Sequence, residues 1–192
     1  MTSLTWLEIF ANLANLTSVF LAAKNQRHTW TIGIFACLLF AWLFYQVQLY
    51  ADVTLMFFFI ITSAIGWWQW QPGKVSADIR RTAWPQLLLF ALIAVATLIG
   101  YGYLLHSTTD AYAPFADSAI LAFSVLAQLL LMNHRLEAWW FWLVVNSIAV
   151  PLYAIRGLEI TALVYAGFWL NAFFGLYSWR KQYAQQDAHL GA

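Results

Sequence analysis

Charge is scarce in this chain. Asp, Glu, Lys and Arg make up 9% of its 192 residues, against about 25% in soluble domains. A water-soluble globule of this length has too little interior to hide a composition that is 63% hydrophobic. Cysteine occurs once, at Cys37, which excludes an intramolecular disulfide and a cysteine metal cluster. Histidine is limited to His28, His106, His134 and His189, in loops, segment ends or the tail, where ordinary surface residues are expected. There is no Walker sequence, no dinucleotide glycine motif and no His/Cys set at metal spacing. ATP-driven pumping by this chain alone is therefore disfavoured, and no cofactor, metal or nucleic acid is expected. The amino terminus lacks the basic region and cleavage site of a signal peptide, so the first apolar segment is expected to stay.

Apolar length is abundant instead. Seven stretches can cross a hydrocarbon core, for which a helix needs about 17–25 residues: 6–22, 30–49, 52–71, 84–106, 114–132, 139–155 and 159–179. They are continuous runs rather than the alternation of a barrel strand, so the expected fold is an all-α integral membrane protein with seven transmembrane helices. Alternating sides puts Lys24, Arg27, Lys74, Arg80, Arg81, Arg135, Arg180 and Lys181 on one face and only Arg156 on the other. Cytoplasmic loops carry the Lys/Arg excess, which predicts an external amino terminus and a cytoplasmic carboxyl terminus. The loop around 72–83, with Pro72, Gly73 and Lys74, then lies on the cytoplasmic surface, and 106–113 is the longest outer connection. The tail from Gln182 onward is polar and expected to fray.

The chain also repeats itself at a nearly constant offset. Asn25 and Arg27 recur as Asn133 and Arg135, and Tyr45 as Tyr153. Trp30 recurs as Trp139, Asp52 as Glu159, and Gly66 and Trp70 as Gly175 and Trp179, all in the same order. Each copy holds three segments, 6–71 and 114–179, and segment 84–106 links them within one membrane domain. An even number of helices separates matching elements, so the copies run parallel, related by an axis along the membrane normal. Such repeats are characteristic of transporters.

Few polar residues lie deep enough to meet a solute. Trp142, Asn146 and Tyr153 form one stripe of the sixth helix, with Pro151 a candidate kink. An amide at that depth needs a partner, whether helix, water or ligand. Gln128 on the fifth helix (in a stripe with Asp117 and Ser124), Asn171 and Trp169 on the seventh, and Ser63 on the third complete the candidate substrate-binding set. Glu8, aligned with Asn12 and Asn15, and Asp117 fit the outer entrance. Trp6, Trp30, Trp67, Trp68, Trp70, Trp84, Trp139, Trp140 and Trp179 fall near span ends, where aromatic belts are expected. Trp42, Trp142 and Trp169 are deeper, and a deep ring can stack on a small cationic solute. Interhelical hydrogen bonding remains an equal reading of the amides. No ionisable residue lies near the middle of a span, so a transporter of this composition is expected to be a uniporter.

The stretch Gln128 to Trp142, with its Arg135-Leu136-Glu137-Ala138-Trp139 core, resembles the PnuC family of bacterial vitamin-precursor transporters. So do Leu49-Tyr50-Ala51-Asp52, Gly66-Trp67-Trp68-Gln69-Trp70, and Tyr153 leading to Gly157-Leu158. The resemblance covers nearly the whole chain in order. It implies a three-plus-one-plus-three fold similar to SWEET sugar transporters, a homotrimer, and a place in the bacterial inner membrane. It also implies nicotinamide riboside uptake by facilitated diffusion, with a cytoplasmic kinase trapping the vitamin. Two positions depart from the pattern: Ala36 stands where an Asn is expected after Gly33, and Ser63 where an amide is expected before Gly66. These changes point toward a thiamine-transporting relative (the PnuT branch), and a riboflavin-type substrate stays open. A scaffold subunit explains the polar residues as glue but not a repeat around an amide-and-Trp stripe. An integral membrane enzyme is disfavoured, because no carboxylate cluster, His pair or Ser–His set shares one depth.

Overall fold

The computed structural model describes residues 3–46, 50–71, 78–108 and 112–190, without the side chains of 3–5, 50–52, 54, 189 and 190. Leu49, Pro72, Gly73, Lys74 and residues 109–111 lie outside the described residues, as do the side chains of Asp52 and His189. Backbone groups in hydrocarbon must find partners within their own segment, and the apolar runs accordingly form helices. In chain order these are α1 (Ser3–Ala23), α2 (His28–Gln46), α3 (Tyr50–Gln69), α4 (Trp84–Thr108), α5 (Pro114–Met132), α6 (Ala138–Ile155) and α7 (Glu159–Leu190). Among the described residues, all but α3 meet the length and hydropathy of a membrane span, and α3 contributes the apolar stretch Leu55–Gln69. The chain is a multi-pass, all-helical membrane protein. The expected fraying from Gln182 is corrected: α7 runs on to Leu190. Its last turns hold Ala, Gln, Lys and Arg, good helix formers, and Gln182 donates to Ser178 Oγ at 3.2 Å.

Two compact units divide the chain. The first comprises Met1–Ile79, Met132–His134 and Tyr177–Ala192; the second comprises Arg80–Leu131 and Arg135–Leu176.

In the first unit, α1 and α2 are joined by a left-handed helix stop. Asn25 has φ 56°, the Gln26 N–H donates to Leu21 O and the Asn25 N–H to Ala22 O, both at 2.9 Å. This is the paired Schellman pattern. One turn inside it, Ser18 Oγ donates to Thr29 O and Thr29 Oγ1 to Ser18 O, each at 2.8 Å. The Trp30 ring lies on Gly66 of α3 so closely that a Cβ there would come within 2.6 Å of it. Arg27 stacks on Trp67 at 3.8 Å from the ring centre and donates to its carbonyl.

The same unit holds an aromatic cluster where the ends of α3 and α5 meet the carboxyl-terminal half of α7. His134 stacks on Trp70 at 4.0 Å and on Trp179 at 5.9 Å. Trp30 meets Trp70 edge-on at 5.1 Å. The Trp70 indole donates to Met132 O, and the Trp179 indole to Ala22 O, each at 3.0 Å. Two expectations are corrected here. His134 is not a surface histidine but 2% exposed, and Trp30, Trp70, Trp139 and Trp179 are buried rather than interfacial. Position along a helix cannot separate a ring facing lipid from one facing a neighbour. Trp6, Trp67, Trp68, Trp84 and Trp140 are exposed, as a belt requires.

The second unit reuses this framework. Its Arg135 N–H donates to Leu130 O at 2.9 Å, past His134 of the first unit, which ends α5 at φ 53°. Within the unit the Trp139 ring lies on Gly175, where a Cβ would approach to 2.5 Å. The connector before α4 docks on the α5–α6 turn: Leu136 N–H donates to Arg80 O at 3.0 Å, Arg135 Nη1 to Arg81 O at 2.9 Å, and Thr82 N–H to Glu137 Oε2 at 2.9 Å. The Arg135–Trp139 core is thus a turn and docking device, with each residue committed to packing. Gly157, at φ 74°, closes α6 with a third stop of the same kind, Leu158 N–H to Tyr153 O and Gly157 N–H to Ala154 O.

Candidate functional site

Five of the candidate residues other than Asn146 share the second unit with it: Gln128 on α5, Trp142 and Tyr153 on α6, and Trp169 and Asn171 on α7. Ser63 belongs to the first unit. It is buried, and its Oγ lies 3.8 Å from where a Cβ on Gly33 would stand, so it occupies the close approach of α2 and α3.

Asn146 is 3% exposed and Gln128 8%. Both are amides buried between transmembrane helices, a costly place for a polar group without partners. The Asn146 Nδ2 donates to Trp142 O at 2.8 Å, one turn back on α6. That bond ties the amide to the helix segment carrying the deep Trp ring. Leu143, Val145, Ala149 and Leu152 are buried on the same helix, so Asn146 interrupts an otherwise apolar face.

Pro151 adds a second polar feature. α6 continues through it to Ile155, yet proline has no N–H, so the Ser147 carbonyl loses its ordinary helical donor. The Ser147 hydroxyl accepts from the Trp169 indole at 3.0 Å. Asn146 is buried but Ser147 is exposed, so the amide and the Ser147–Trp169 bond lie on different faces of α6. Trp169 is braced edge-on by Phe173 at 4.6 Å. Nearer the outer end expected from the basic residues, Tyr153 packs on Tyr165 at 4.9 Å, and Tyr165 meets Phe168 edge-on at 5.5 Å.

Ser147 and Tyr165 were not singled out from the sequence. Ser147 had a signal: it precedes Pro151 by four and follows a deep Asn. Tyr165 had only its four-residue spacing from Trp169.

The entrance carboxylates differ from each other. Asp117 Oδ2 accepts a charge-assisted bond from Arg156 Nη2 at 2.7 Å, and the guanidinium lies 5.7 Å from the Tyr112 ring centre. The hydrogen bond to Asp117 holds the Arg156 pKa above its ordinary value against the opposing effect of burial. Asp117 is therefore half of a pair. Glu8 is exposed, and its carbonyl accepts from Asn12 Nδ2 at 2.9 Å. No group of three or more His, Cys, Asp or Glu suited to a metal occurs among the described residues.

Known proteins share this architecture. A family profile described as nicotinamide mononucleotide transporter matches residues 5–181. The nicotinamide riboside transporter PnuC of Escherichia coli is 24% identical over 190 residues, covering 84% of this chain and 80% of that protein. The riboflavin/roseoflavin transporter RibM of Streptomyces davaonensis is 22% identical over 180 residues, covering 91% of this chain and 84% of its own. The crystal structure of the vitamin B3 transporter PnuC superposes with a TM-score of 0.75 at 21% identity, covering 94% of this chain and 83% of that one. The last likeness establishes a shared fold.

Proposed function

The chain belongs to the nicotinamide mononucleotide transporter family, the PnuC family, and from that premise we propose that it takes up a B-vitamin precursor, nicotinamide riboside first, by facilitated diffusion. It is a membrane transporter and not an enzyme. The observation that carries the substrate reading is the buried Asn146 amide, tied to Trp142 and followed by the carbonyl that Pro151 frees. A flat cationic ring against Trp142 and a polar substituent on Asn146 would use both, with Gln128, Asn171, Trp169 and Tyr153 completing the pocket. A phosphorylated solute fits less well. Helices α5 and α6 contain no basic residue, and the first on α7 is Arg180, so a phosphate dianion would have no counter-charge among these residues. A riboflavin-type solute is the second reading, favoured by the similarity to RibM at comparable coverage. Thiamine rests on Ala36 and Ser63 alone.

We take the architecture to be a three-plus-one-plus-three repeat of the SWEET type, α1–α3 and α5–α7 around α4. In its support, Trp30 lies on Gly66 as Trp139 lies on Gly175, with ring and glycine offset in sequence by the same step. The family resemblance further implies a homotrimer and trapping of the solute by a cytoplasmic kinase. The basic residues imply an external amino terminus and a cytoplasmic carboxyl terminus, in a bacterial inner membrane. A reporter fused after Arg180 then reads cytoplasmic and one at 106–113 external.

Uptake by purified protein in liposomes tests the proposal, with nicotinamide riboside, riboflavin and thiamine offered separately. The expected result is flux of the riboside that stops at equal concentrations and ignores imposed pH or sodium gradients. Accumulation driven by either gradient overturns facilitated diffusion, and flux of none of the three overturns the substrate class.

A further inference from the structure

The α1–α2 and α5–α6 turns carry their charges differently. In the second unit the turn is neutralised from within. Glu137 is buried, accepts from the Thr82 N–H at 2.9 Å and lies 3.9 Å from Arg81 Nε. Arg135 spends its Nη1 on Arg81 O. At the offset that relates Trp30 to Trp139, His28 stands in the first unit where Glu137 stands in the second. The stretch from Lys24 to His28, with Arg27 between them, contains no carboxylate. Among the described residues both ion pairs, Arg81–Glu137 and Arg156–Asp117, belong to the second unit.

The two cations of the first turn rest on rings instead. Lys24 Nζ lies 4.4 Å from the centre of the Phe20 ring, and Arg27 Cζ lies 3.8 Å from that of Trp67. Phe20, Trp67 and the neighbouring Trp68 are all exposed. Exposed rings at the ends of membrane helices stand at the level of the lipid head groups. The Arg27 Nε donates to Trp67 O at 3.0 Å, which fixes the plane of the guanidinium. Its two Nη nitrogens are claimed by no described group. A planar fork held in this way matches two oxygens of a phosphate.

We propose that the α1–α2 turn binds the head group of an anionic phospholipid. Arg27, stacked on Trp67, takes the phosphodiester with its two Nη groups, and Lys24 adds a second positive charge. The exposed rings of Phe20 and Trp68 border the acyl chains. The lipid thus supplies from outside the negative charge that Glu137 supplies within the second unit. The arrangement lies wholly in the first unit and uses no residue of the candidate pocket. Its place in the cytoplasmic leaflet rests on the orientation proposed from the basic residues, whereas binding itself depends on neither orientation nor transport.

The full chain, stripped of lipid in a nonionic detergent, is titrated with dioctanoyl phosphatidylglycerol. Apparent affinity is read from the rise in unfolding temperature, which follows occupancy. Dioctanoyl phosphatidylcholine tests the charge requirement, and glycerophosphoglycerol and inorganic phosphate test whether a soluble anion suffices. Phosphatidylglycerol is expected to saturate, phosphatidylcholine to bind more weakly, and the soluble anions to leave the unfolding temperature unchanged. Arg27→Gln is expected to weaken phosphatidylglycerol binding about tenfold, the equivalent of one charge-assisted hydrogen bond. Lys24→Gln is expected to weaken it about fivefold, the worth of one basic residue at an anionic surface. Lys181 is the control, an exposed cation of the same unit with no ring or carboxylate partner among the described residues, and Lys181→Gln should leave affinity unchanged. Should Arg27→Gln fail to fold for want of its bond to Trp67 O, Lys24→Gln still decides, since it disturbs no hydrogen bond. Losses at Lys24 and Arg27 no larger than at Lys181 make the attraction diffuse and overturn the proposal. An equal response to phosphatidylcholine overturns it by removing the charge requirement. A response to either soluble anion equal to that of phosphatidylglycerol overturns it by making the occupant a soluble anion rather than a lipid.

Discussion

The segments α1–α3 and α5–α7 share a framework but not their chemistry. At one common offset in sequence, Trp30 and Trp139 lie on Gly66 and Gly175, and Trp70 and Trp179 each send an indole N–H to a helix-end carbonyl. Buried Ala36 corresponds to buried Val145. The candidate pocket behaves differently. Gln128, Trp142, Asn146, Trp169 and Asn171 correspond at that offset to Val19, Gly33, Cys37, Ile60 and Thr62, while Tyr153 matches Tyr45 one residue out of that register. Every amide and every deep Trp of that set is on the second segment, and the first offers smaller or less polar groups. Hydroxyls are distributed the other way, since the Ser18–Thr29 pair corresponds to Ala127 and Ala138. Shared positions are those where a ring meets a backbone, which tolerates little change. The candidate solute-contact positions, by contrast, differ between the two segments.

The largest expected effect attacks what the segments share. Gly66→Val and Gly175→Val each force a branched side chain into an indole face already in contact, and overpacking costs about 1–3 kcal/mol, the upper end applying to a rigid ring. Thermal unfolding in detergent should show both variants destabilised to a similar degree. A neutral result at either glycine breaks the equivalence of the two frameworks.

Next comes what the segments do not share. Removing one partner of a buried polar contact costs about 1–3 kcal/mol, so Asn146→Ala should weaken riboside binding several-fold to about a hundredfold, at about 1.4 kcal/mol per tenfold. Its counterpart Cys37→Ala should leave affinity unchanged. Trp142→Ala should cost more than Trp142→Phe, which keeps part of the ring face, and the exposed Trp84→Ala should cost nothing. Titration calorimetry on the purified variants measures all five. Equal losses at Asn146 and Cys37 would divide the solute between the segments and end the asymmetry.

How far these features were legible depends on which property fixes them. Hydropathy and length place a helix in a membrane, so each predicted span met a helix. Burial within the bundle leaves no mark on hydropathy. Trp30, Trp70, Trp139 and Trp179 lie where belt residues lie, and only their recurrence with Gly66 and Gly175 hinted at packing against backbone. His134 looked like a loop residue because it is one; its left-handed backbone turns the ring inward, which no composition reveals. The α5–α6 turn also hid the register. Matching letters paired Asn25 with Asn133, whereas the helix stop pairs it with His134, because chain reversal demands a conformation rather than an identity. For the pocket, the sequence supplied residue types and depth, while the Ser147–Trp169 bond depended on two helices meeting.

The smallest effect is expected at the hydroxyls that only the first segment carries. Ser18 and Thr29 donate to each other's carbonyls at 2.8 Å, clamping α1 to α2 just inside the stop at Asn25. Interhelical hydrogen bonds in membranes average about 0.6 kcal/mol and reach about 1.7 kcal/mol. Ser18→Ala or Thr29→Ala alone removes one donor and leaves the other bond in place, and each should cost about that average. The double variant places alanine at both positions, as the second segment does at Ala127 and Ala138, both fully buried. If the clamp adds only its two bonds, a double-mutant cycle read by unfolding should give the sum of the singles. If the α1–α2 approach can tighten around two alanines, the double variant should lose less than that sum, because dispersion contacts replace hydrogen bonds. A loss well above the sum would mean that the two segments hold their first helix pair by different physics, and the shared framework would then begin only at Trp30 and Trp139.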